Sequence, residues 1–575
     1  MSLRSLLPLP PWAPYSAKDL PADLSAALAV CFLGVPQGLA YATIAGLPPV
    51  MGLYASAVPT IVGALFRSSS HVVAGPTNAL SLLVGAAVAM GLGGDPVSVV
   101  MTLALMVGML QVAAGLLRLG TVVDYISGPV VLGYITGAGV LIGAGQLYNV
   151  TATTGPRGSL LTTVTGWLPT VSEASSIAVA VSLGTVALMT TLRIVGKRLR
   201  RRIPSAIVVL VVALAVNLVF GLEQHGLQVI ADLSPIPAGL PAPRLPSLAE
   251  VGSLLPVAVA CTVLSLVESS ALARSIASRT GQRLDASTEF VGQGLANVAA
   301  GFFGGYPVSG SLSRSVLNER SGARSRVAGM LTGTMMIGVL LAFGPALGHT
   351  PIASLAGLLL VVAWDLVDVP RITRTLRASR SDAVAFVVTV AGTWTLALDT
   401  AIYLGVGVSV IAFLRRARVM VVREIILDDR SRWQERHLGD EDDGGRLPGL
   451  RILQAEGPLF FGAAGELMTT LEEVLREPDV RVLVLRLKRA QGMDATVAGA
   501  LAELALLAEQ QGRRLMLVGL DERKQQVLRR SSAAKAFVPE HLIPVMGARF
   551  EALELAVERA RAWAEANPDG VRTAE

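Results

Sequence analysis

The sequence predicts an α-helical polytopic membrane protein with fourteen transmembrane elements in a 7+7 inverted repeat, followed by a small α/β domain. Three observations support this fold class. Hydrophobic residues make up 52% of the 575-residue chain and charged residues only 16%, whereas soluble proteins carry about 25% charged residues. The apolar excess ends near residue 413. Two short polar interruptions, 75–81 and 309–315, lie within the apolar regions.

The apolar stretches divide into two sets of seven, because about 20 residues cross a membrane and shorter ones cross only part of it. The first set lies near 24–46, 49–66, 76–91, 96–117, 124–148, 174–193 and 203–221. The second set lies near 251–273, 285–304, 311–319, 327–347, 351–365, 382–398 and 400–414. The third member of each set is short and follows a polar interruption. An odd number of elements per set inverts the second set relative to the first.

Basic residues lie on one side of this predicted topology, as they do in the cytoplasmic loops of membrane proteins. With a cytoplasmic N-terminus, that side holds Arg67, Arg118, the cluster 193–202, Arg274, Arg279, Arg283, Arg320, Arg324, Arg326, Arg371, Arg374, Arg377, Arg380, Arg415, Arg416 and Arg418. The opposite loops hold Arg157 and Arg244. We therefore expect a multi-pass protein of the bacterial plasma (inner) membrane with both termini in the cytoplasm. Because the basic residues lie in short clusters between apolar runs, the formal charge of +6 does not indicate binding of nucleic acid.

The two polar interruptions are the predicted functional centre. Non-helical backbone survives at membrane depth only where protein encloses it or where it lines water. Helix-forming residues follow each interruption, so each is the predicted N-terminus of a half-helix. Unpaired N–H groups and a partial positive charge at such a terminus favour an anion. Arg314 adds a permanent charge to the second interruption, and a charge inside the membrane is by default functional.

These features predict which residues contact the anion. The first half-helix starts after Pro76 and would offer backbone N–H groups at Thr77, Asn78 and Ala79, although Asn78 could instead cap that helix. The second would offer those of Ser313, Arg314 and Ser315. Arg314 could alternatively extend to the interface or pair with a carboxylate. Gln37 could donate its amide to the anion or form a hydrogen bond between helices.

Glu268 is the predicted coupling residue, because it lies deep in the eighth span. Apolar surroundings favour the neutral form of a carboxyl group, so Glu268 could take up a proton on one side and release it on the other. A sodium site would need more oxygen ligands, such as Ser265 and Ser269, and Leu272 stands where a further hydroxyl would help. The remaining alternative is a static ion pair between Glu268 and Arg314.

The sequence contains no recognisable nucleophile–base pair, metal-ligand cluster or nucleotide-binding loop. We therefore expect no enzyme activity, no cofactor and no metal site. Cys31 and Cys261 lie in apolar segments and are expected to be buried thiols.

After residue 420 the pattern is that of a linker over 421–449 and an α/β domain over 450–568. The predicted strands lie near 450–455, 482–487, 514–518 and 542–545. The predicted helices lie near 463–476, 495–511, 522–530 and 549–565. The remaining boundaries are an N-terminal cytoplasmic segment 1–20 and a transmembrane domain 21–420 with repeats over about 21–222 and 250–418.

Several motifs resemble those of sulfate permease (SulP) type anion transporters. They are 37–42 (QGLAYA), 49–54 (PVMGLY), 70–76 (SHVVAGP), 297–305, and 306–315 (YPVSGSLSRS) with Asn318. Segments 457–461 (GPLFF) and 493–496 (MDAT) are similar to the STAS domain of these transporters and of anti-sigma-factor antagonists.

The resemblance implies a core domain of elements 1–4 and 8–11, a gate domain of the remaining spans, an elevator-like movement and a homodimer. It also implies that the Ser313–Arg314 pair lies beside the anion, that Tyr41 lines the same site, and that Glu268 couples transport to protons or sodium. Thr496, near Asp494, falls where antagonists of this class are phosphorylated on serine, but Ala495 lacks a hydroxyl of that pattern. Capping of a helix by Asp494 is the alternative.

The sequence therefore predicts secondary active transport of a small anion, such as sulfate, bicarbonate or a dicarboxylate, in symport with H⁺. Na⁺ is the less favoured coupling ion. An uncoupled or exchange-type anion transporter is the first alternative. A membrane anion sensor that signals through the STAS domain, and a nucleobase transporter of the same fold, are two others.

Overall fold

The computed structural model of the protein describes residues 15–89, 91, 95–120, 128–156, 159–199, 203–247, 250–396, 398–417, 420–428, 430, 432–440, 444–548 and 550–567. Most of the predicted N-terminal segment 1–20 lies outside this part of the chain. The chain divides into two compact units between Val410 and Ile411, within the helix Leu398–Ala417.

Within the described residues, fourteen helices occupy the positions of the fourteen predicted membrane elements. The first seven are α1 (Leu20–Ile44), α2 (Val50–Phe66), α3 (Asn78–Ala89), α4 (Pro96–Leu116), α5 (Gly128–Gly145), α6 (Ser176–Arg198) and α7 (Ser205–Phe220). The second seven are α8 (Val251–Thr280), α9 (Ala286–Phe302), α10 (Leu312–Arg320), α11 (Val327–Gly348), α12 (Ile352–Leu366), α13 (Arg380–Thr395) and α14 (Leu398–Ala417). Connecting helices that the sequence did not predict are Leu147–Thr151, Leu160–Trp167, Ile230–Leu233 and Val369–Ala378.

The third helix of each set is too short to cross a membrane. By length and composition, seven helical stretches of the described chain could span one, and α3 is among four shorter apolar helices. Helix α3 has 12 residues and α10 has 9, so they are about 18 Å and about 14 Å long. A hydrocarbon core of about 30 Å exceeds either length. Both are half-helices, as predicted.

The contacts between helices show the repeat directly. Helix α2 packs against α11, and α9 packs against α4, which is the same contact with each helix replaced by its counterpart seven positions away in the order of helices. The contacts of α1 with α11, α5 with α13 and α10 with α1 recur in the same way as α8 with α4, α12 with α6 and α3 with α8. Because each of these helix contacts has a counterpart between the helices seven positions away, the chain folds as two equivalent sets of seven helices.

Close helix packing holds each set against the other. A Cβ atom at Gly108 of α4 would lie 2.7 Å from the carbonyl oxygen of Gly294 in α9, and one at Gly294 would lie 2.7 Å from that of Gly108. The same holds for the pair α5 and α13, where a Cβ atom at Gly133 of α5 would lie 2.8 Å from the carbonyl oxygen of Phe386 in α13. These glycines bring backbones together as small residues do in membrane helix interfaces.

The second unit contains a mixed sheet between two layers of helices. Its strands are β3 (Val421–Leu427), β4 (Trp433–His437), β5 (Leu450–Pro458), β6 (Val482–Arg486), β7 (Ala490–Gln491), β8 (Arg514–Leu520) and β9 (Leu542–Pro544). The order is β4-β3-β5-β6-β8-β9, with β7 on β5, and β5, β6, β8 and β9 are parallel. The helices are α15 (Phe461–Arg476), α16 (Ala495–Gln510), α17 (Glu522–Arg530) and α18 (Glu551–Ala566).

The predicted linker 421–449 is wrong in part, because it contains β3 and β4. These strands form an antiparallel hairpin, and β3 adds to the edge of β5 through the pair Glu424 and Leu453. The many acidic residues and the glycines of this segment suggested a solvated connection. However, Glu424 is buried and receives hydrogen bonds from Arg436 and Arg446, so a charged residue belongs to a strand here. Residues 429, 431 and 441–443 of this segment lie outside the described part.

Candidate functional site

The two polar interruptions meet as a pair of short strands. Strand β1 (Ala74–Gly75) precedes α3 and strand β2 (Ser309–Gly310) precedes α10, and the two are antiparallel. The Val73 carbonyl accepts from the Ser311 amide at 3.0 Å, and the Val73 amide donates to the Ser315 Oγ at 2.9 Å. The antiparallel crossing brings the N-termini of α3 and α10 together from opposite directions.

Buried side chains satisfy the backbone at this crossing. The Val308 carbonyl accepts from Asn297 Nδ2 at 3.0 Å and from Gln293 Nε2 at 2.6 Å, and the Val308 amide donates to Asn297 Oδ1 at 2.7 Å. The Thr60 hydroxyl donates to the Ala74 carbonyl at 2.7 Å. Non-helical backbone can persist at membrane depth because these side chains replace the missing helical partners.

A cavity of about 1320 Å³ reaches the crossing. At its inner end it is lined by predicted site residues from α1, α3, α8, α10 and the residue before α3, namely Gln37, Tyr41, Thr77, Asn78, Glu268 and Ser313. Its other end is lined by basic residues, namely Arg193, Lys197, Arg320 and Arg371. Asp365 also lines that end and pairs with Arg193 at 2.8 Å. The cavity therefore connects a basic mouth to the half-helix N-termini.

Three of the predicted anion-binding residues lie outside the cavity lining. The Ala79 amide donates to the Asn78 side chain at 2.8 Å. The Ser315 hydroxyl accepts from the Val73 amide and is fully buried. Arg314 is also buried, with 1% of its surface exposed. The Ser315 side chain therefore holds the crossing together. Arg314 lies behind Gln37, which faces the cavity.

Arg314 supports Gln37 from behind. Its Nε donates to Gln37 Oε1 at 3.3 Å, its Nη1 to Ser56 Oγ at 3.0 Å, and its Nη2 to the carbonyl of Gly34 at 3.3 Å. Gln37 Nε2 in turn donates to Ser313 Oγ at 3.1 Å. The amide oxygen of Gln37 is thus held towards the guanidinium and its NH₂ group towards Ser313. This orientation places hydrogen-bond donors at the cavity and a positive charge one layer further back.

Sequence reasoning did not identify Ser56 as part of this arrangement. Ser56 lies one helical turn after Gly52, and its hydroxyl donates to the Gly52 carbonyl at 2.7 Å while accepting from Arg314. The signal was one serine hydroxyl in an otherwise apolar helix start, which is too common to single out. The basic residues at the cavity mouth were recognised only as topology signals.

Glu268 lies on the cavity wall beside the N-terminus of α3. Its Oε2 accepts from the Thr77 hydroxyl at 3.4 Å. The sequence left open an ion pair between Arg314 and Glu268. The hydrogen bonds of the Arg314 guanidinium go instead to Gln37, Ser56 and the carbonyl of Gly34. The neighbouring hydroxyls have other partners, because Ser265 donates to the Val308 carbonyl at 3.2 Å and Ser269 accepts from Arg67 at 3.3 Å.

In the second unit, Asp494 caps two helices. Its Oδ1 accepts from the Val497 amide at 2.9 Å and its Oδ2 from the Phe461 amide at 2.6 Å. These contacts match the capping alternative for Asp494. Thr496 is exposed in the first turn of α16.

Comparisons with known proteins agree with both units. A model described as the sulfate permease family matches residues 20–389, and one described as the STAS domain matches residues 446–545. The chain is 28% identical over 546 residues to the "Probable sulfate transporter Rv1739c" of Mycobacterium tuberculosis (strain ATCC 25618 / H37Rv), which covers 92% of this chain and 96% of that protein.

Two solved structures have a similar fold. The murine solute carrier 26 family member A9 anion transporter in the inward-facing state matches with a TM-score of 0.83 at 21% identity, over 97% of this chain and 94% of that chain. The transmembrane domain of a cyanobacterium bicarbonate transporter, BicA, matches with a TM-score of 0.59 at 25% identity, over 69% of this chain and 98% of that chain.

Proposed function

This chain belongs to the sulfate permease family and is an anion transporter rather than an enzyme, and we propose that it carries sulfate, bicarbonate or a short dicarboxylate by H⁺-coupled symport. The observation that carries the proposal is the antiparallel crossing of β1 and β2 at the inner end of the cavity. It joins two helix N-termini at one point, which is where an anion is stabilised.

The proposed anion site consists of neutral donors in front of one buried charge. Gln37, Thr77 and Ser313 line the cavity and carry N–H or O–H groups. Arg314 contributes its charge through Gln37 rather than by direct contact. Neutral donors in low-dielectric surroundings hold an anion more loosely than a bidentate guanidinium does, so the anion can leave again. The sulfate and bicarbonate in the names of related proteins support a small oxyanion as substrate.

Glu268 is the proposed proton carrier. An ionised carboxylate on the cavity wall repels an incoming anion, and protonation removes that repulsion. The Thr77 hydroxyl contacts Glu268 and also faces the cavity, so it joins the proton site to the anion site. A proton is favoured over sodium because Ser265 and Ser269, the nearest candidate ligands on α8, have other partners.

The proposed movement is an elevator-like displacement of the core, formed by α1–α4 and α8–α11, against the gate formed by the remaining helices. The contacts of α2 with α9 and of α5 with α12 lie within these two groups, whereas the cavity is lined from both. We place the basic cavity mouth on the cytoplasmic side of the plasma membrane, together with both termini. A homodimer is the proposed assembly.

The test is uptake by the purified protein in liposomes, with labelled sulfate, bicarbonate and fumarate under imposed pH and Na⁺ gradients. With one proton per anion and a clamped membrane potential, one pH unit can support about tenfold accumulation. Glu268→Gln should abolish accumulation driven by the pH gradient but retain exchange of labelled for unlabelled anion. Glu173→Gln, an exposed residue after α5, is the matched control and should behave as the native protein.

Each other outcome identifies an alternative. Accumulation by Glu268→Gln equal to that of the native protein would reject proton coupling through this residue. Exchange without accumulation in the native protein would indicate an uncoupled exchanger. Binding of the anion without any movement across the membrane would indicate a sensor.

A further inference from the structure

A short helix between α12 and α13, Val369–Ala378, has two different faces and is named here the arginine helix. The Asp368 side chain caps its start by accepting from the Arg371 amide at 3.0 Å. Arg371, Arg374 and Arg377 follow at intervals of three and are all exposed. Residues three apart lie on the same side of a helix. The arginine helix therefore presents three cations along one side.

The opposite side of the arginine helix is apolar. Ile372 packs against the cluster formed by Leu132, Phe386 and Val390, which fixes the helix to α5 and α13. Val369 and Leu376 remain 58% and 43% exposed. Trp364, near the end of α12, is 80% exposed. Exposed apolar and aromatic residues beside a membrane-spanning helix are typical of the level where acyl chains meet head groups.

The charge of the arginine helix is not balanced within the part of the chain that the structure describes. Arg374 Nε donates to the carbonyl of Pro370 in its own helix at 3.2 Å, which neutralises no charge. Arg371, Arg374 and Arg377 form no ion pair with the carboxylates of that part of the chain. Three guanidinium groups on one short helix therefore form a local positive charge that can attract anions from outside the chain.

We propose that the arginine helix binds the head groups of anionic lipids, with Trp364, Val369 and Leu376 at the level of the acyl chains. A helix that joins two membrane-spanning helices and combines a basic side with exposed apolar residues fits a lipid surface. Anionic lipids concentrate in the cytoplasmic leaflet, on the side where the basic loops place this helix. A soluble phosphate would satisfy the arginines but would leave the three apolar residues uncovered.

This surface adjoins the transport pathway. Arg371 belongs to the lining of the cavity, as Arg193 and Lys197 do. Lipid head groups on the arginine helix would therefore lie beside the entrance through which the anion passes. The inference concerns lipid and does not depend on which anion is carried.

The test measures which lipid lies next to Trp364. The full-length protein is placed in nanodiscs of phosphatidylcholine that contain either brominated phosphatidylglycerol or brominated phosphatidylcholine at the same mole fraction. The difference in fluorescence quenching between the native protein and Trp364→Phe isolates the signal of Trp364. We expect quenching by brominated phosphatidylglycerol to correspond to a roughly fivefold local enrichment over brominated phosphatidylcholine.

Charge variants decide whether the arginines cause this enrichment. Arg374→Gln with Arg377→Gln should lower it to the level of phosphatidylcholine, whereas Arg374→Lys with Arg377→Lys should retain it. Arg283→Gln with Arg415→Gln removes two exposed arginines from other segments and should leave the enrichment unchanged. Elution as a single species in size-exclusion chromatography checks that each variant is folded.

Three results would overturn the proposal. The first is equal quenching by the two brominated lipids in the native protein. The second is retained enrichment in Arg374→Gln with Arg377→Gln. The third is loss of the enrichment on addition of millimolar glycerol 3-phosphate, because that would indicate a site for a soluble phosphate.

Discussion

Arg314 places a permanent charge inside the membrane without placing it in the cavity. A buried charge is costly unless hydrogen bonds satisfy it. Gln37, Ser56 and the Gly34 carbonyl supply three acceptors. Because the guanidinium is held by these groups, its remaining effect on an anion is electrostatic and acts across Gln37. The residue that orders the donors is therefore different from the residues that we propose as substrate contacts.

Gly75 leaves room for this arrangement, because a Cβ atom there would collide with Arg314 Nη1. We predict that Gly75→Ala displaces the guanidinium, loosens Gln37 and raises the KM for anion uptake by about tenfold, equivalent to about 1.4 kcal/mol. The concentration dependence of uptake in proteoliposomes measures this change. Gly184→Ala on α6, where a Cβ atom meets no neighbour, should leave KM unaltered. An unchanged KM in Gly75→Ala would show that Arg314 is not fixed in this position.

At the scale of elements, β3 shows how a charged residue can hold a strand in a sheet. Glu424 is 1% exposed and pairs with Arg436 at 2.7 Å, with Arg446 at 2.9 Å and with Arg451. Burial alone raises the pKa of Glu424, but hydrogen bonds from Arg436 and Arg446 and the charge of Arg451 outweigh burial and hold that pKa below its usual value. Ionisation of this carboxylate therefore adds to the stability that backbone pairing with β4 and β5 gives the strand.

The stability of β3 should therefore depend on pH. A carboxyl group whose pKa is lowered by folding adds stability above its unfolded-state pKa, and that stability is lost as pH falls through the folded-state pKa. The usual pKa of glutamate is about 4.3, so the loss should begin below about pH 4. Glu424→Gln should remove this dependence and destabilise the strand at pH 7 by on the order of 3 kcal/mol, because three arginines lose this carboxylate, although Arg451 keeps its pair with Glu477.

Hydrogen–deuterium exchange of β3 and β5 in the full-length protein, corrected for the intrinsic effect of pH on exchange, measures this prediction. Glu466→Gln, on the exposed side of α15, is the control and should exchange as the native protein does. Equal protection in Glu424→Gln and the native protein at pH 7 would contradict a structural role for the carboxylate.

At the scale of the whole molecule, the inverted repeat predicts that corresponding loops of the two halves lie on opposite sides of the membrane. The even number of elements and the basic loops predict that the loop between α8 and α9 is cytoplasmic and the loop between α5 and α6 is outside. Both native cysteines are at most 1% exposed, so a single introduced cysteine can report accessibility.

We predict that Glu173→Cys reacts with a membrane-impermeant maleimide in intact cells, whereas Arg283→Cys reacts only after the membrane is permeabilised. Both native residues are exposed, which makes them a matched pair. Labelling of the protein by a fluorescent maleimide, followed by gel electrophoresis, measures the reaction. The reverse pattern would show that the topology is inverted, and labelling of both in intact cells would reject the predicted count of spans.

The membrane elements, the two half-helices and the alternation of strands and helices after residue 450 could all be predicted from the amino-acid sequence. These features follow from local hydropathy and from proline, glycine and polar breaks, which are encoded within short stretches of chain. The same local signals misassigned β3 and β4, because the buried partners of Glu424 could not be seen from the composition of the segment.

Which of the predicted residues face the cavity depends on contacts between distant parts of the chain. Arg314 and Ser56 are 258 positions apart and Gln37 and Ser313 are 276 apart, and each pair forms one hydrogen bond. The direction of a buried side chain depends on such distant partners rather than on its neighbours in sequence. For that reason the residue types of an anion site could be predicted from the chain, whereas the position of Arg314 behind Gln37 required the assembled helices.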